Sequence, residues 1–367
     1  MQPIKIIISG GGTGGHIFPA IAIANAIKLL YQNTEILFVG ALGKMEMEKV
    51  PAAGYKIIGL PVVGLQRRLT IKNLKFPFLL FKSLQQAKKI INEFKPDVVV
   101  GVGGYASGPM LKTACKKNIA TLIQEQNSYP GLTNRLLSKK VSKICVAYPN
   151  MENFFPKNKI ILTGNPVRQD ISNLDSKKNR GFELFQLLPN KKTILVIGGS
   201  LGAKTINESI LNSLTHFTEN NIQLIWQTGK SFYATAKEAT QTLQKNGVFC
   251  FDFISQMDYA YAISDVVISR AGAISISEIC LAAKAAILVP SPNVSEDHQT
   301  KNAMALVNNN AAILIKDNEA NALLVKKAIE LINDENLCER LQRNASRLAF
   351  NDAANIIAGE VLKLIKK

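Results

Sequence analysis

The segment Ser9-Gly-Gly-Gly-Thr-Gly-Gly-His16 follows the short apolar run Ile4–Ser9 and precedes an amphipathic stretch. Glycines there let the backbone approach a phosphate, and a helix N-terminus offers unpaired N–H groups with a positive partial charge. Gly10, Gly12 and Gly15 satisfy the dinucleotide pattern G-x-G-x-x-G, which alone is a weak signal. A nicotinamide-binding unit also needs an acidic residue ending its second strand, to hold the ribose. The corresponding run ends Phe38-Val39-Gly40 with no carboxylate, so a nucleotide sugar fits better than NAD. His16 closes the loop. A packed structural histidine is the ordinary alternative, but a place beside a phosphate-type loop favours function.

Three further clusters carry similar chemistry. Gly101-Val-Gly-Gly-Tyr105-Ala-Ser-Gly-Pro109 follows another apolar run, and Gln124-Glu125-Gln-Asn127-Ser-Tyr-Pro-Gly131 comes shortly after. Two such loops at strand ends of one sheet point to a cleft at its carboxyl edge, where open α/β sheets bind ligands. The polar run either caps a loop or lines a polar site, and the second is preferred. Gly198-Gly-Ser200-Leu-Gly-Ala203 opens a helix that includes Asn207. It also matches the G-x-S-x-G nucleophile elbow, with Asp265 and His298 formally completing a triad. That hydrolase reading leaves the first-half glycine loops unexplained, so Ser200 reads better as a phosphate ligand.

The last cluster is Ser269-Arg270-Ala-Gly-Ala273-Ile274-Ser275-Ile276-Ser277-Glu278. An unpaired carboxylate in an apolar helix start is costly, so Glu278 is expected either to bind ribose hydroxyls or to cap local N–H groups. Gln299 and Asn302, three apart in Glu296–Asn302, share a helix face suited to a sugar ring. No D-x-D triplet occurs. No metal and no cofactor are therefore expected, and leaving-group charge would be met by N–H groups and a cation such as Arg168.

Positioning these residues requires a repeated architecture. Ile4–Ser9, Ile36–Gly40, Asp97–Val102 and Ala120–Gln124 read as buried strands, with helices over Ala20–Leu30 and Leu84–Glu93 between them. The pattern restarts at Lys192–Gly198 and continues through Ile222–Gln227, Val248–Phe253, Val266–Ser269 and Ala286–Val289. The expected class is α/β, with two Rossmann-like, doubly wound parallel-sheet domains facing a cleft. The polar stretch Thr163–Leu184 is the expected linker, giving domains 1–165 and 166–350. A final helix over Asn351–Lys367 would carry Ile356, Ile357, Val361, Leu362 and Ile365 on one side.

Five scattered cysteines with no C-x-x-C pair suit reduced thiols rather than disulfides or zinc. The N-terminus reads as a first strand rather than a signal peptide, and no apolar stretch is long enough to span a bilayer. The net charge of +17 is uneven: residues 1–165 hold 22 Lys and Arg against 7 Asp and Glu, while the remainder is nearly balanced. A polyanionic partner for the first half and a generally lysine-rich surface are both compatible with this asymmetry.

Together the motifs GGTGGH, GGYASGP, EQNSYPGLTNR, TGNPVR, GGSLGA, SRAGAISISE and DHQTKNA, spread over essentially the whole chain, resemble glycosyltransferase family 28. More narrowly, they resemble its peptidoglycan N-acetylglucosaminyltransferases, which convert lipid I to lipid II. The resemblance implies a two-domain GT-B fold, a C-terminal helix crossing back to the first domain, and inverting transfer without an active-site metal. It places Thr13, Gly14, Gly15, Asn127, Arg168 and Ser200 at the donor, and the Ile254 backbone at the uracil. Ala273, Ile274, Ser275, Ile276, Ser277 and Glu278 would wrap the nucleotide sugar, with Glu278 on the ribose and Gln299 on the N-acetylglucosamine hydroxyls. His16, Tyr105, Glu125, Asn134, Asn207, Arg270 and Asn302 match other functional positions. Gln124 departs from a family histidine, and Ser275 replaces a common threonine.

The implied reaction is a single displacement by the C4 hydroxyl of the muramyl sugar. His16 is the preferred general base, since an imidazole titrates near neutrality, and Glu125 is the alternative. Arg67-Arg68-Leu-Thr-Ile-Lys-Asn-Leu-Lys75 followed by Phe76–Lys82 combines basic and aromatic residues, as a peripheral membrane surface requires; a buried helix start is the alternative. With a lipid-linked acceptor, this favours an anionic membrane over nucleic acid and a place on the cytoplasmic face of the bacterial inner membrane. A UDP-N-acetylglucosamine 2-epimerase and a non-enzymatic nucleotide-sugar sensor are the competing readings. The first needs no acceptor site, and the second needs no His16, Tyr105 and Glu125 cluster.

Overall fold

The computed structural model describes residues 3–62, 76–199 and 201–365. The chain divides into two compact units, Met1–Val167 with Asp352–Lys367, and Arg168–Asn351. The first contains a seven-stranded parallel sheet: β1 (Ile4–Ser9), β2 (Thr34–Ala41), β3 (Lys56–Leu60), β4 (Val98–Gly101), β5 (Ala120–Glu125), β6 (Lys143–Val146) and β7 (Ile160–Leu162). Its spatial order is β3-β2-β1-β4-β5-β6-β7. The second unit holds a six-stranded parallel sheet ordered β10-β9-β8-β11-β12-β13. Its strands are β8 (Thr193–Ile197), β9 (Gln223–Gln227), β10 (Val248–Phe251), β11 (Val266–Ser269), β12 (Ala285–Leu288) and β13 (Ile313–Leu314).

Successive strand residues point to opposite faces, and both faces of each sheet are covered. Ile6 and Ile8 therefore enter one core while Ile7 enters another, and Ile194 and Val196 separate from Leu195 and Ile197 in the same way. Each such side chain contributes roughly 1.5–3 kcal/mol of burial. This two-sided demand explains the near-continuous apolar runs.

In both units the chain winds outward from the first strand and then returns to its other side. The reversal lies between β1 and β4, with Ser9 beside Gly101, and between β8 and β11, with Ile197 beside Ser269. Two strands leaving in opposite directions open a crevice at their carboxyl ends. All four loops of interest, those after β1 and β4 and those after β8 and β11, are therefore placed by topology.

Several expectations are corrected. The first helix spans Gly14–Leu30, so it starts inside the glycine loop and brings its unpaired N–H groups there. The helix Phe76–Phe94 takes in the aromatic run before Leu84. The boundary between the units, after Val167, falls inside the expected linker Thr163–Leu184, but the stretch is not linker throughout. Thr163 and Asn165 are buried, and Lys178–Phe185 is a helix packed on Met257–Ile263. Gly181 permits that approach, because a Cβ there would lie 2.8 Å from Ile263 Cγ2. The C-terminal helix, Ala353–Lys363, packs on Gly14–Leu30 through Ala354, Ile357, Ala358 and Val361. Ile356 is exposed instead, because the buried stripe follows the spacing 354, 357, 358, 361.

Candidate active site

In the first unit the loops after β1 and β4 interlock. A Cβ on Gly104 would lie 2.2 Å from the Gly11 carbonyl oxygen, so only glycine allows the backbones this close. Gly103, at φ +92°, lies against the His16 ring. His16 is half-buried, and its Nδ1 lies 3.1 Å from the Gly11 carbonyl and 3.3 Å from Thr13 Oγ1. A carbonyl oxygen only accepts, so this contact assigns the hydrogen to Nδ1 and leaves Nε2 as the basic nitrogen of the neutral ring. Thr13, Gly14 and Gly15 are exposed or half-buried at the start of the helix, and Tyr105 is exposed beside Gly104.

Glu125 ends β5 and is fully buried. Its carboxylate accepts from the Asn127 N–H (3.0 Å), Asn127 Nδ2 (3.3 Å), the Gly131 N–H (3.1 Å) and Asn134 Nδ2 (2.8 Å). Burial pushes its pKa above the ordinary carboxylate value, and these four donors oppose that shift. The geometry is that of a residue knitting loop 126–131 to the helix Leu132–Leu137. Asn134 is buried with it, its Oδ1 having no hydrogen-bond partner among the described residues. Gln124 is also buried. It donates to Asn165 Oδ1, while Gln126 contacts both Gln124 and the Val102 carbonyl. This amide network underlies the loop that carries Gly103.

In the second unit, the helix Ala273–Leu281 begins directly after β11. The Ile276 N–H makes the first intrahelical bond, to the Gly272 carbonyl. The N–H groups of Ala273, Ile274 and Ser275 precede it and have no intrahelical acceptor, an arrangement that suits an anion. Arg168 Nε donates to Glu278 Oε1 at 3.1 Å, and the buried Tyr261 hydroxyl lies 3.4 Å from Oε2. Burial raises the Glu278 pKa and the Arg168 guanidinium partly opposes it. The Gln227 amide bridges the end of β9 to two loops, accepting from the Ile254 N–H at 2.9 Å and reaching the Gly199 carbonyl at 3.4 Å. Gln299 is half-buried and accepts from the Ser291 N–H at 2.8 Å. Ser277 donates back to the Ala273 carbonyl. Ser200 lies outside the described residues.

Four expected ligand residues turn inward. Asn207 is buried, accepting from Trp226 Nε1 and donating to the Thr228 carbonyl, so it ties the helix that follows the glycine loop to the end of β9. Arg270 spends its guanidinium on the Val289 and Pro290 carbonyls and on Asp317. The side chains of Ile276 and Asn302 are buried, Asn302 completely, so Asn302 does not share the half-exposed setting of Gln299. Glu46, Gln227 and Tyr261 were missed. Gln227 carried a signal, as a polar residue closing a buried strand. Glu46 resembled its solvated neighbour Glu48, and Tyr261 an ordinary core aromatic.

No group of His, Cys, Asp and Glu among the described residues is arranged to hold a metal. Nor is any helix among them long and apolar enough to cross a membrane.

Residues 6–146 match the N-terminal domain of glycosyltransferase family 28, and residues 193–357 match its C-terminal domain. A UDP-N-acetylglucosamine–N-acetylmuramyl-(pentapeptide) pyrophosphoryl-undecaprenol N-acetylglucosamine transferase from Parabacteroides distasonis is 56% identical over 367 residues, covering 100% of both chains. The same-named enzyme of Flavobacterium psychrophilum is 52% identical over 366 residues, covering 100% of this chain and 99% of its own. Among solved structures, Acinetobacter baumannii MurG aligns with a TM-score of 0.75 at 28% identity, covering 98% of this chain and 100% of its own. A Neisseria meningitidis UDP-GlcNAc 2-epimerase shares the fold, with a TM-score of 0.68 at 16% identity over 98% of this chain and 100% of its own. With both domain models matched and full-length relatives above half identity, the chain belongs to glycosyltransferase family 28.

Proposed function

We propose that the chain transfers N-acetylglucosamine from UDP-N-acetylglucosamine to the C4 hydroxyl of the muramyl sugar of lipid I, giving lipid II for peptidoglycan synthesis. The observation that carries the mechanism is His16, held by its Nδ1 on the Gly11 carbonyl at the first unit's strand reversal. The full-length relatives support the substrates, since their names specify both donor and lipid-linked acceptor.

The second unit takes the donor. The N–H groups of Ala273, Ile274 and Ser275 and the Ser200 hydroxyl receive the diphosphate, and the Ile254 backbone reads the uracil. Glu278 addresses the ribose and Gln299 the sugar hydroxyls. Since Gln227 already takes the Ile254 N–H, the Ile254 carbonyl is the group left to accept from the base. The first unit takes the acceptor beside His16 and Tyr105, while Thr13, Gly14, Gly15 and Asn127 face the donor. His16 Nε2 removes the C4 hydroxyl proton as that oxygen bonds to the anomeric carbon. The bond from that carbon to the β-phosphate oxygen breaks, and its electron pair departs with UDP. Single displacement inverts the configuration to β, and the Arg168 guanidinium meets the developing charge. Glu125, saturated by four donors, acts by positioning Asn127 and Asn134 rather than as the base.

The helix Phe76–Phe94 exposes Phe78 and Phe81 beside Lys82 in the basic first unit, which suits an anionic membrane surface and a peripheral place on the cytoplasmic face of the bacterial inner membrane. No role is assigned to nucleic acid. Incubation with UDP-N-acetylglucosamine tests the activity: UDP release must require a lipid I analogue. Release without acceptor, or conversion of the donor to its 2-epimer, would overturn the reading.

A further inference from the structure

Glu46 opens the short helix Glu46–Ala52 after β2 and is only 1% exposed. An ionised carboxylate in that setting needs compensation. It receives two backbone donors from different segments, the Ala41 N–H at 2.8 Å and the Gly12 N–H at 2.9 Å. Both neighbouring backbones are shaped to admit it. A Cβ on Gly11 would lie 2.1 Å from Glu46 Oε1, and one on Gly40 would lie 2.5 Å from Glu46 Cγ. The carboxylate thus occupies an N–H of a phosphate-type loop with a charge the protein supplies itself, and it fixes the peptide between Gly11 and Gly12. The carbonyl of that same peptide receives His16 Nδ1.

We infer that Glu46 is a positioning residue for the transfer reaction: by clamping the Gly11–Gly12 peptide it holds the carbonyl that keeps the His16 hydrogen on Nδ1 and Nε2 basic. The Gly12 N–H and Gly11 carbonyl are opposite ends of one planar unit, so a bond at one end sets the direction of the other. A backbone carbonyl thereby orients the imidazole as a carboxylate orients it in other acid–base sites. The inference rests on His16 being the base. It also distinguishes the first glycine loop from the second unit's phosphate-type loop, since a diphosphate at the Gly12 N–H would have to displace a buried carboxylate.

The chain has three histidines, His16, His216 and His298, so nitrogen-15 NMR of the full-length protein can read each imidazole, with His16→Ala assigning the signal. Wild-type His16 should show the hydrogen on Nδ1, and Glu46→Gln, which replaces one acceptor oxygen by a donor, should shift it toward Nε2. A wild-type ring protonated on Nε2 overturns the inference without any variant having to fold. In kinetics, Glu46→Gln should lower kcat about 10- to 100-fold with UDP affinity unchanged, yet cause no further loss in a His16→Ala background. Equal fold losses in both backgrounds would make Glu46 merely structural and overturn the inference. Full turnover by His16→Ala alone would instead overturn the assignment of the base on which it rests.

Discussion

Gly103 lies against His16 so closely that a Cβ at position 103 would stand 2.7 Å from Cδ2 and 2.9 Å from Nε2 of the imidazole. The loop after β4 therefore packs directly against the ring. Gly103→Ala would push the ring away and place an L side chain at φ +92°, costing roughly 1–2 kcal/mol in backbone strain. The expected outcome is a loss of at least ~100-fold in kcat, because a 1 Å displacement of a reacting group is enough. Calorimetric titration with UDP should show unaltered affinity, since the groups assigned to its uracil, ribose and diphosphate belong to the second unit.

His16 and Glu125 should separate by their effect on stability. His16→Ala removes a half-buried ring and should lower kcat by about 10²–10⁴ with little change in Tm. Glu125→Gln turns an amide NH₂ toward backbone and side-chain donors that now share one carboxylate. It should therefore cost about 1–3 kcal/mol and lower Tm along with activity. Parallel melting curves and initial rates check this. Loss of activity in Glu125→Gln at wild-type Tm would restore Glu125 as a candidate base.

The Arg168–Glu278 pair should announce itself through pH. Glu278 titrates above the ordinary carboxylate value, so within that interval the folded chain holds a proton that the unfolded chain has released. Its contribution favours the fold on the acid side and is lost as pH rises through the folded pKa. Arg168→Met raises that pKa further and leaves the charge unpaired at neutral pH. The variant should be less stable by about 1–3 kcal/mol at pH 7.5, below the value for a fully buried pair because Arg168 is partly exposed. The difference should shrink toward pH 4, where Glu278 is protonated in both proteins. Denaturant titrations across that range read it, and a difference independent of pH would contradict the pairing.

Membrane docking rests on Phe78 and Phe81, which are 68% and 60% exposed and three residues apart on one helix face. Replacing both with Ser should leave Tm unchanged. Partitioning onto anionic vesicles should fall about 10-fold or more, since a fully buried Phe contributes roughly 1.5–3 kcal/mol. Rates with a water-soluble acceptor analogue should be unaffected. Vesicle binding indifferent to lipid charge would count against the basic first-half surface as a partner of these side chains.

The sheets were legible because their central strands are apolar on both faces, as in Ile6-Ile7-Ile8 and Val98-Val99-Val100. The strands that escaped notice, β3, β6, β7 and β13, are short or begin with lysine, as Lys56 and Lys143 do, so their signal resembles that of a loop. At the site, glycine loops could be read directly, since few other roles require so many glycines at strand ends. Direction could not. Arg270 and Asn207 belong to the right segments, but only the folded backbone shows their polar atoms committed to Asp317, Trp226 and main-chain carbonyls. Glu46 was hidden for the converse reason, because a buried carboxylate and a solvated one look alike in a helical run.

The claim that this chain joins N-acetylglucosamine to the muramyl sugar of lipid I is tested most directly by the structure of the lipid product. Purified full-length protein, UDP-N-acetylglucosamine and lipid I in detergent or vesicles should yield one new lipid together with an equal amount of UDP. Proton NMR of its released disaccharide should show a β linkage to the C4 oxygen. An α linkage, attachment at another hydroxyl, or free N-acetylmannosamine in place of a lipid product would contradict the account.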